Sequence, residues 1–115
     1  MSIGPTATVS MALLVLYTDH LEESRRFYSR LGLTFHKEQH GNGPEHYAAV
    51  LPDGVVIELY PATERRPATS ARLGFNVTGH TMTPPMKAGR HLLDDPDGRT
   101  VEVHAGPAGP PESEE

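Results

Sequence analysis

The phrase PDGVVIELY at 52–60 is written again at 96–104 as PDGRTVEVH. A single phrase used twice in so short a chain points to repeated supersecondary units. In each copy the glycine suits the positive φ of a tight turn and the aspartate can bond its own backbone. The alternating apolar residues that follow predict a strand. Extended runs, HYAAVL and HLLDD, precede the two copies, so each half is predicted to end in a hairpin whose last strand carries Glu58 or Glu102.

The apolar runs LLVLYT at 13–18 and RLGFNV at 72–77 are the natural opening strands of the two halves. From Leu13 to Pro52 is 39 residues and from Arg72 to Pro96 only 24, a difference of about one helix with its connections. The first half contains that helix. In TDHLEESRRFYSRLGL, Asp19 with Glu22 forms a candidate capping box, Leu21, Ser24, Phe27, Tyr28 and Leu31 make an inward stripe, and Gly32 can end the helix. Phe27 and Tyr28 at this spacing are read as core. In the second half TGHTMTPPMKAG, with Pro84, Pro85, Gly79 and Gly89, forbids a long helix. Residues 78–90 therefore supply either a short strand or a loop.

The 115 residues suit one domain, expected over 12–105, with a first module at 12–60, a linker at 61–71 and a shortened second module at 72–105. The ends, 1–11 and 106–115, are rich in glycine, proline or acid and are expected to be flexible. There is no cysteine, which excludes disulfides, thiolate metal sites and a cysteine nucleophile. A net charge of −5 with scattered basic residues offers no field for nucleic acid. No apolar run is long enough to span a bilayer, and the N-terminus lacks the basic start of a signal peptide, so a cytoplasmic protein is expected.

The segments LYTDHLEESRRFYSRLGL, VVIELYP and DPDGRTVEVH, in this order, resemble the vicinal oxygen chelate superfamily, which includes glyoxalase I, bleomycin-resistance proteins, extradiol dioxygenases and fosfomycin-modifying enzymes. The resemblance implies an α+β fold of paired βαβββ modules forming a curled mixed sheet with a cleft, here with the second module shortened and lacking its helix. It also implies a homodimer. A second sheet without its helix would leave an apolar face for a partner to cover.

Alternation along the closing strands sets Glu58 with Tyr60, and Glu102 with His104, opposite the apolar residues, so both carboxylates, Tyr60 and His104 are expected to look into one shared cleft. Leu13, Val15 and Tyr17, and Arg72, Gly74 and Asn76, form the matching sets on the opening strands. Metal-using relatives place ligands on the opening strands as well as the closing ones. Here those positions hold Leu13 and Arg72, neither of which offers a lone pair to a cation. The expectation is a cleft without metal or cofactor, in which Arg72 pairs with one or both carboxylates. Tyr17, Tyr60, Arg72, Asn76 and His104 are the candidate ligand-binding residues, and Glu58 and Glu102 the candidate catalytic ones. The ordinary alternative is that such glutamates and Arg72 merely meet water. His36, His40 and His46 crowd into HKEQHGNGPEH, where an unorthodox metal site competes with the commoner fate of exposed loop histidines.

Two readings follow. One is a bleomycin-resistance-like protein that binds a small organic ligand in a dimer cleft, as in antibiotic sequestration. The other is a lyase or isomerase acting beside a carbonyl, with Glu58 or Glu102 as base.

Overall fold

A computed structural model describes residues 3–4 and 8–106. Much of the two ends expected to be flexible thus lies outside the described residues. The first module runs β1 (Leu13–Thr18), α1 (Leu21–Arg30), β2 (His36–Glu38), β3 (His46–Val50) and β4 (Val56–Pro61). The second runs β5 (Arg72–Thr78), a short 3₁₀ turn (Gly79–Thr81), β6 (Gly89–Asp94) and β7 (Thr100–Gly106). They form a four-stranded sheet ordered β1-β4-β3-β2 and a three-stranded sheet ordered β5-β7-β6. In both, the opening strand lies parallel to the closing strand, with Val15 opposite Glu58 and Gly74 opposite Glu102. The repeat in the sequence is a repeat in space.

The turns match closely. Leu51 N–H donates to Val55 O at 2.8 Å, and Asp95 N–H to Arg99 O at 2.9 Å. Gly54 and Gly98 hold φ of +94° and +86°, a region costly to residues with a Cβ.

The helix is amphipathic as its spacing predicts: Ser24, Tyr28 and Leu31 are buried, while Leu21 and Phe27 pack beside the core. Its predicted cap is corrected. The N-cap is His20, without a side-chain cap. The Asp19 N–H instead meets Asp97 Oδ1 at 3.0 Å, and Glu22 accepts from Tyr47 and Arg25. Long-range partners have taken both capping groups.

The helix is also shared. Leu16 and Leu59 of the first sheet, Tyr28 and Leu31 of α1, and Val101 and Val103 of the second sheet belong to one core cluster. The second sheet's apolar face is therefore not left bare. The first module's helix covers it, Tyr28 meeting Phe75 with ring centroids 6.2 Å apart. Residues 79–88 complete the cover as turn and loop, with Met82 buried in the core and Thr83 N–H donating to Arg30 O at 3.0 Å.

A buried polar network ties the halves together. Arg99 and Asp95, with side chains 2% and 0% exposed, pair at 3.1 Å. Tyr28 Oη donates to Asp95 Oδ2 at 2.6 Å, and burial, reinforced by that bond, pushes the phenol well above its usual range. Arg99 Nε donates to Thr69 O at 3.0 Å, and its Nη2 donates to Tyr17 O. Asp97, the turn aspartate of the second PDG, accepts from Thr18 Oγ1 and the Asp19 N–H.

Candidate functional site

Because both sheets turn their apolar faces to the core around α1, the alternate residues of each sheet look away from that core. The candidate residues divide accordingly. Tyr17, Glu58 and Tyr60 share the outer face of the first sheet, and Arg72, Asn76, Glu102 and His104 that of the second. Within one chain Glu58 and Glu102 are not brought together.

On the second sheet, Glu102 is the hub. Arg72 Nη2 donates to its Oε1 at 2.9 Å, Arg90 Nε reaches Oε2 at 2.9 Å, and His104 Nε2 donates to Oε2 at 2.8 Å. The hydrogen bonds from Arg90 and then Arg72 hold its carboxyl down to about 2. Arg90 was missed in the sequence because the path of residues 78–90 was open; its position opposite His104 in the β6–β7 register puts it in the cluster. Beside it runs an open groove of about 570 Å³, lined in part by Asn76, Arg90 and His104.

On the first sheet, Tyr17 and Tyr60 lie 6.0 Å apart between ring centroids. His46 stacks on Tyr60 at 4.0 Å, with only 10° between the planes. Far from being an exposed loop residue, His46 opens β3 and is 1% exposed. Its Nδ1 lies 3.2 Å from the Pro44 carbonyl, and its Nε2 lies 3.3 Å from Glu38 Oε1 and 3.9 Å from Glu58 Oε2. The strand-like run HYAAV was the available signal for its burial. Burial and the neighbouring Glu58 raise the Tyr60 phenol above its usual range. His36 and His40 do not share a strand, since β2 ends at Glu38; His40 instead joins Glu38 and His46.

The residues do not fit a metal held between the two glutamate strands. Leu13 presents hydrocarbon at one opening position, and at the other the Arg72 guanidinium already lies against Glu102. Cationic side chains meet the Glu102 charge directly.

Glu102 has a pH signature. A carboxyl whose folded pKa is depressed stabilises the fold fully above its unfolded value and loses that contribution as pH falls through the folded one. Here the window runs from about 4.5 down to about 2. Urea midpoints of wild type and Glu102→Gln are expected to differ most above this window and to converge through it. A difference that stayed constant to its acid end would rule out the ion pairs as its source.

The family model described as Glyoxalase/Bleomycin resistance protein/Dioxygenase superfamily matches residues 10–72. No curated protein matches the sequence. Among solved structures, oxidase ChaP-H2 superposes with a TM-score of 0.63 at 17% identity, covering 89% of this chain and 97% of that one. TnmS3, an antibiotic binding protein from Streptomyces sp. CB03234, gives 0.62 at 15% identity, covering 89% and 99%. A glyoxalase/dioxygenase from Nostoc punctiforme gives 0.59 at 17% identity, covering 93% and 97%. At such identities the likeness is one of fold.

Proposed function

The chain belongs to the Glyoxalase/Bleomycin resistance protein/Dioxygenase superfamily, and from that premise we propose that it binds a small organic anion in a cleft completed by a second copy of itself. The observation that carries this reading is the convergence of Arg72, Arg90 and His104 on the single carboxylate Glu102 beside an open groove. Two permanent cations against one anion leave net positive charge on that wall, and guanidinium groups recognise carboxylate-like groups by directed hydrogen bonds. The outer wall of the first sheet offers the complementary surface, the aromatic shelf of Tyr17 and Tyr60. A ligand with an aromatic body and an anionic group suits the two walls together. The antibiotic-binding neighbour TnmS3 makes aromatic antibiotics the first class to try.

Equilibrium dialysis against a panel of aromatic antibiotics, each paired with a neutral ester or ether, tests this. Anionic members are expected to bind and to lose about tenfold or more on Arg90→Ala, the worth of one charge-assisted hydrogen bond. Equal binding of charged and neutral members, or an unchanged affinity in Arg90→Ala, would refute the reading.

The enzymatic alternative narrows to Glu58. A carboxylate held near 2, as Glu102 is, makes a weak base at neutral pH. Glu58 has a histidine beside it instead of arginines. Ligand recovered unchanged after long incubation favours binding; turnover that disappears in Glu58→Gln while affinity persists favours the enzyme.

A further inference from the structure

We propose that Glu38, His40 and His46 form a binding site for a divalent transition metal such as Zn²⁺ on the outer face of the first sheet. This site is distinct from the Leu13 and Arg72 positions and does not rest on the ligand reading above.

The argument begins with His46. Pro44 O, 3.2 Å from Nδ1, and Glu38 Oε1, 3.3 Å from Nε2, both only accept, so one ring proton cannot serve both; it is taken on Nδ1, against the carbonyl. In the neutral ring Nε2 then carries a lone pair. Yet Nε2 faces two further acceptors, the carboxylates of Glu38 at 3.3 Å and Glu58 at 3.9 Å. Lone pairs converging on a side chain 1% exposed are costly unless a positive charge lies among them. His40 Nε2 adds a fourth donor atom, 3.5 Å from the same Glu38 oxygen.

The spacing suits an ion. Zinc held tetrahedrally by nitrogen at about 2.0–2.1 Å and oxygen at about 2.0–2.2 Å sets its ligands about 3.3–3.5 Å apart. The Glu38–His46 and Glu38–His40 separations of 3.3 and 3.5 Å match that edge, and one ligand atom from each of Glu38, His40 and His46 lies within 4.8 Å of the others. A backbone carbonyl on the non-ligating nitrogen is the usual outer-shell partner of a zinc-bound histidine. Stacking on Tyr60 fixes the ring plane, so the buried ligand is already oriented. His40 is exposed and lies just before Gly41, at the open side from which an ion would enter. Two imidazoles and one carboxylate fit zinc, cobalt or manganese better than calcium or magnesium, which prefer oxygen alone.

The test is titration of Zn²⁺ alone into the full chain after chelator dialysis, by calorimetry, with Co²⁺ as a spectroscopic substitute. One equivalent per chain and the visible absorption of tetrahedral Co²⁺ are expected. His40→Ala and Glu38→Gln change partly exposed side chains, so the fold survives; each is expected to weaken Zn²⁺ by more than about tenfold. Glu23→Gln, an exposed change on α1, is expected to leave it unchanged. The site is overturned if the folded wild type takes up no metal. Affinity in His40→Ala and Glu38→Gln equal to wild type, or loss confined to Glu23→Gln, overturns it too.

Discussion

Arg99→Met is expected to destabilise the protein by about 3–5 kcal/mol, the usual cost of removing one partner from a buried ion pair. That is a large share of the roughly 5–15 kcal/mol available to a domain. The size follows from what remains behind. Asp95 would stay fully buried, with Oδ1 still accepting from the Asp97 and Arg99 backbone N–H groups at 2.9 Å each and Oδ2 from Tyr28 at 2.6 Å. Its negative charge would have lost the only guanidinium that reaches it among the described residues. Arg99 also meets Tyr17 O from the first module and Thr69 O from the linker, so its loss loosens the seam between the halves as well as the turn. Urea unfolding followed by circular dichroism measures the change. The double variant Asp95→Asn with Arg99→Met is expected to cost less than the two singles added together, because the second change removes the charge that the first one strands. A loss under about 1 kcal/mol for Arg99→Met would mean that the apolar core around α1 holds the halves together without the pair.

The same residues show how far the sequence could be read. The two PDG turns, the strands after them, the α1 stripe and the missing second helix were all legible, because each rests on local chemistry: positive φ at Gly54 and Gly98, period-two alternation, period-3.6 alternation, and prolines where a helix cannot run. Aligning the copies sets Leu51 against Asp95 and Val55 against Arg99. At those flanks the repeat exchanges an apolar pair for a buried ion pair, and nothing local reveals the role of Arg99 because its partners lie as far off as Tyr17. The capping box failed for the same reason: distant Asp97 and Tyr47 claimed the local groups.

Which faces carry the candidate residues was also legible, since alternation decides it. How the sheets face one another was not. Sharing of α1 between both apolar faces is a tertiary fact, and it leaves Glu58 and Glu102 on the outer faces of two separate sheets. His46 and Arg90 were hidden for related reasons. One is buried by stacking on Tyr60, and the other is placed by the register of β6, whose start the sequence leaves open.

Outward-looking walls lead to the second large expectation: if the ligand cleft takes the first sheet of one protomer and the second sheet of its partner, two binding-dead variants will rescue each other. Among the described residues β1 pairs only with β4 and β5 only with β7, so each opening strand has a free edge, which favours pairing with another chain. Val9, Met11 and Leu13 are apolar and exposed along the approach to β1. A two-fold dimer that uses these edges creates two equivalent clefts, each with an aromatic wall from one copy and a cationic wall from the other. Tyr17→Ala with Tyr60→Ala damages only the first wall, and Arg72→Ala with Arg90→Ala only the second. When the two variants are co-expressed with different tags, a mixed dimer holds one doubly damaged cleft and one intact cleft. Random pairing makes half the dimers mixed, so binding capacity is expected to return to about a quarter of wild type at wild-type affinity. Purification through both tags should raise this to about half. Mixed dimers that form, by mass, yet regain no binding would show that each cleft is built from a single chain. A monomer at every concentration would remove the shared cleft altogether and leave the cationic wall of the second sheet to bind alone.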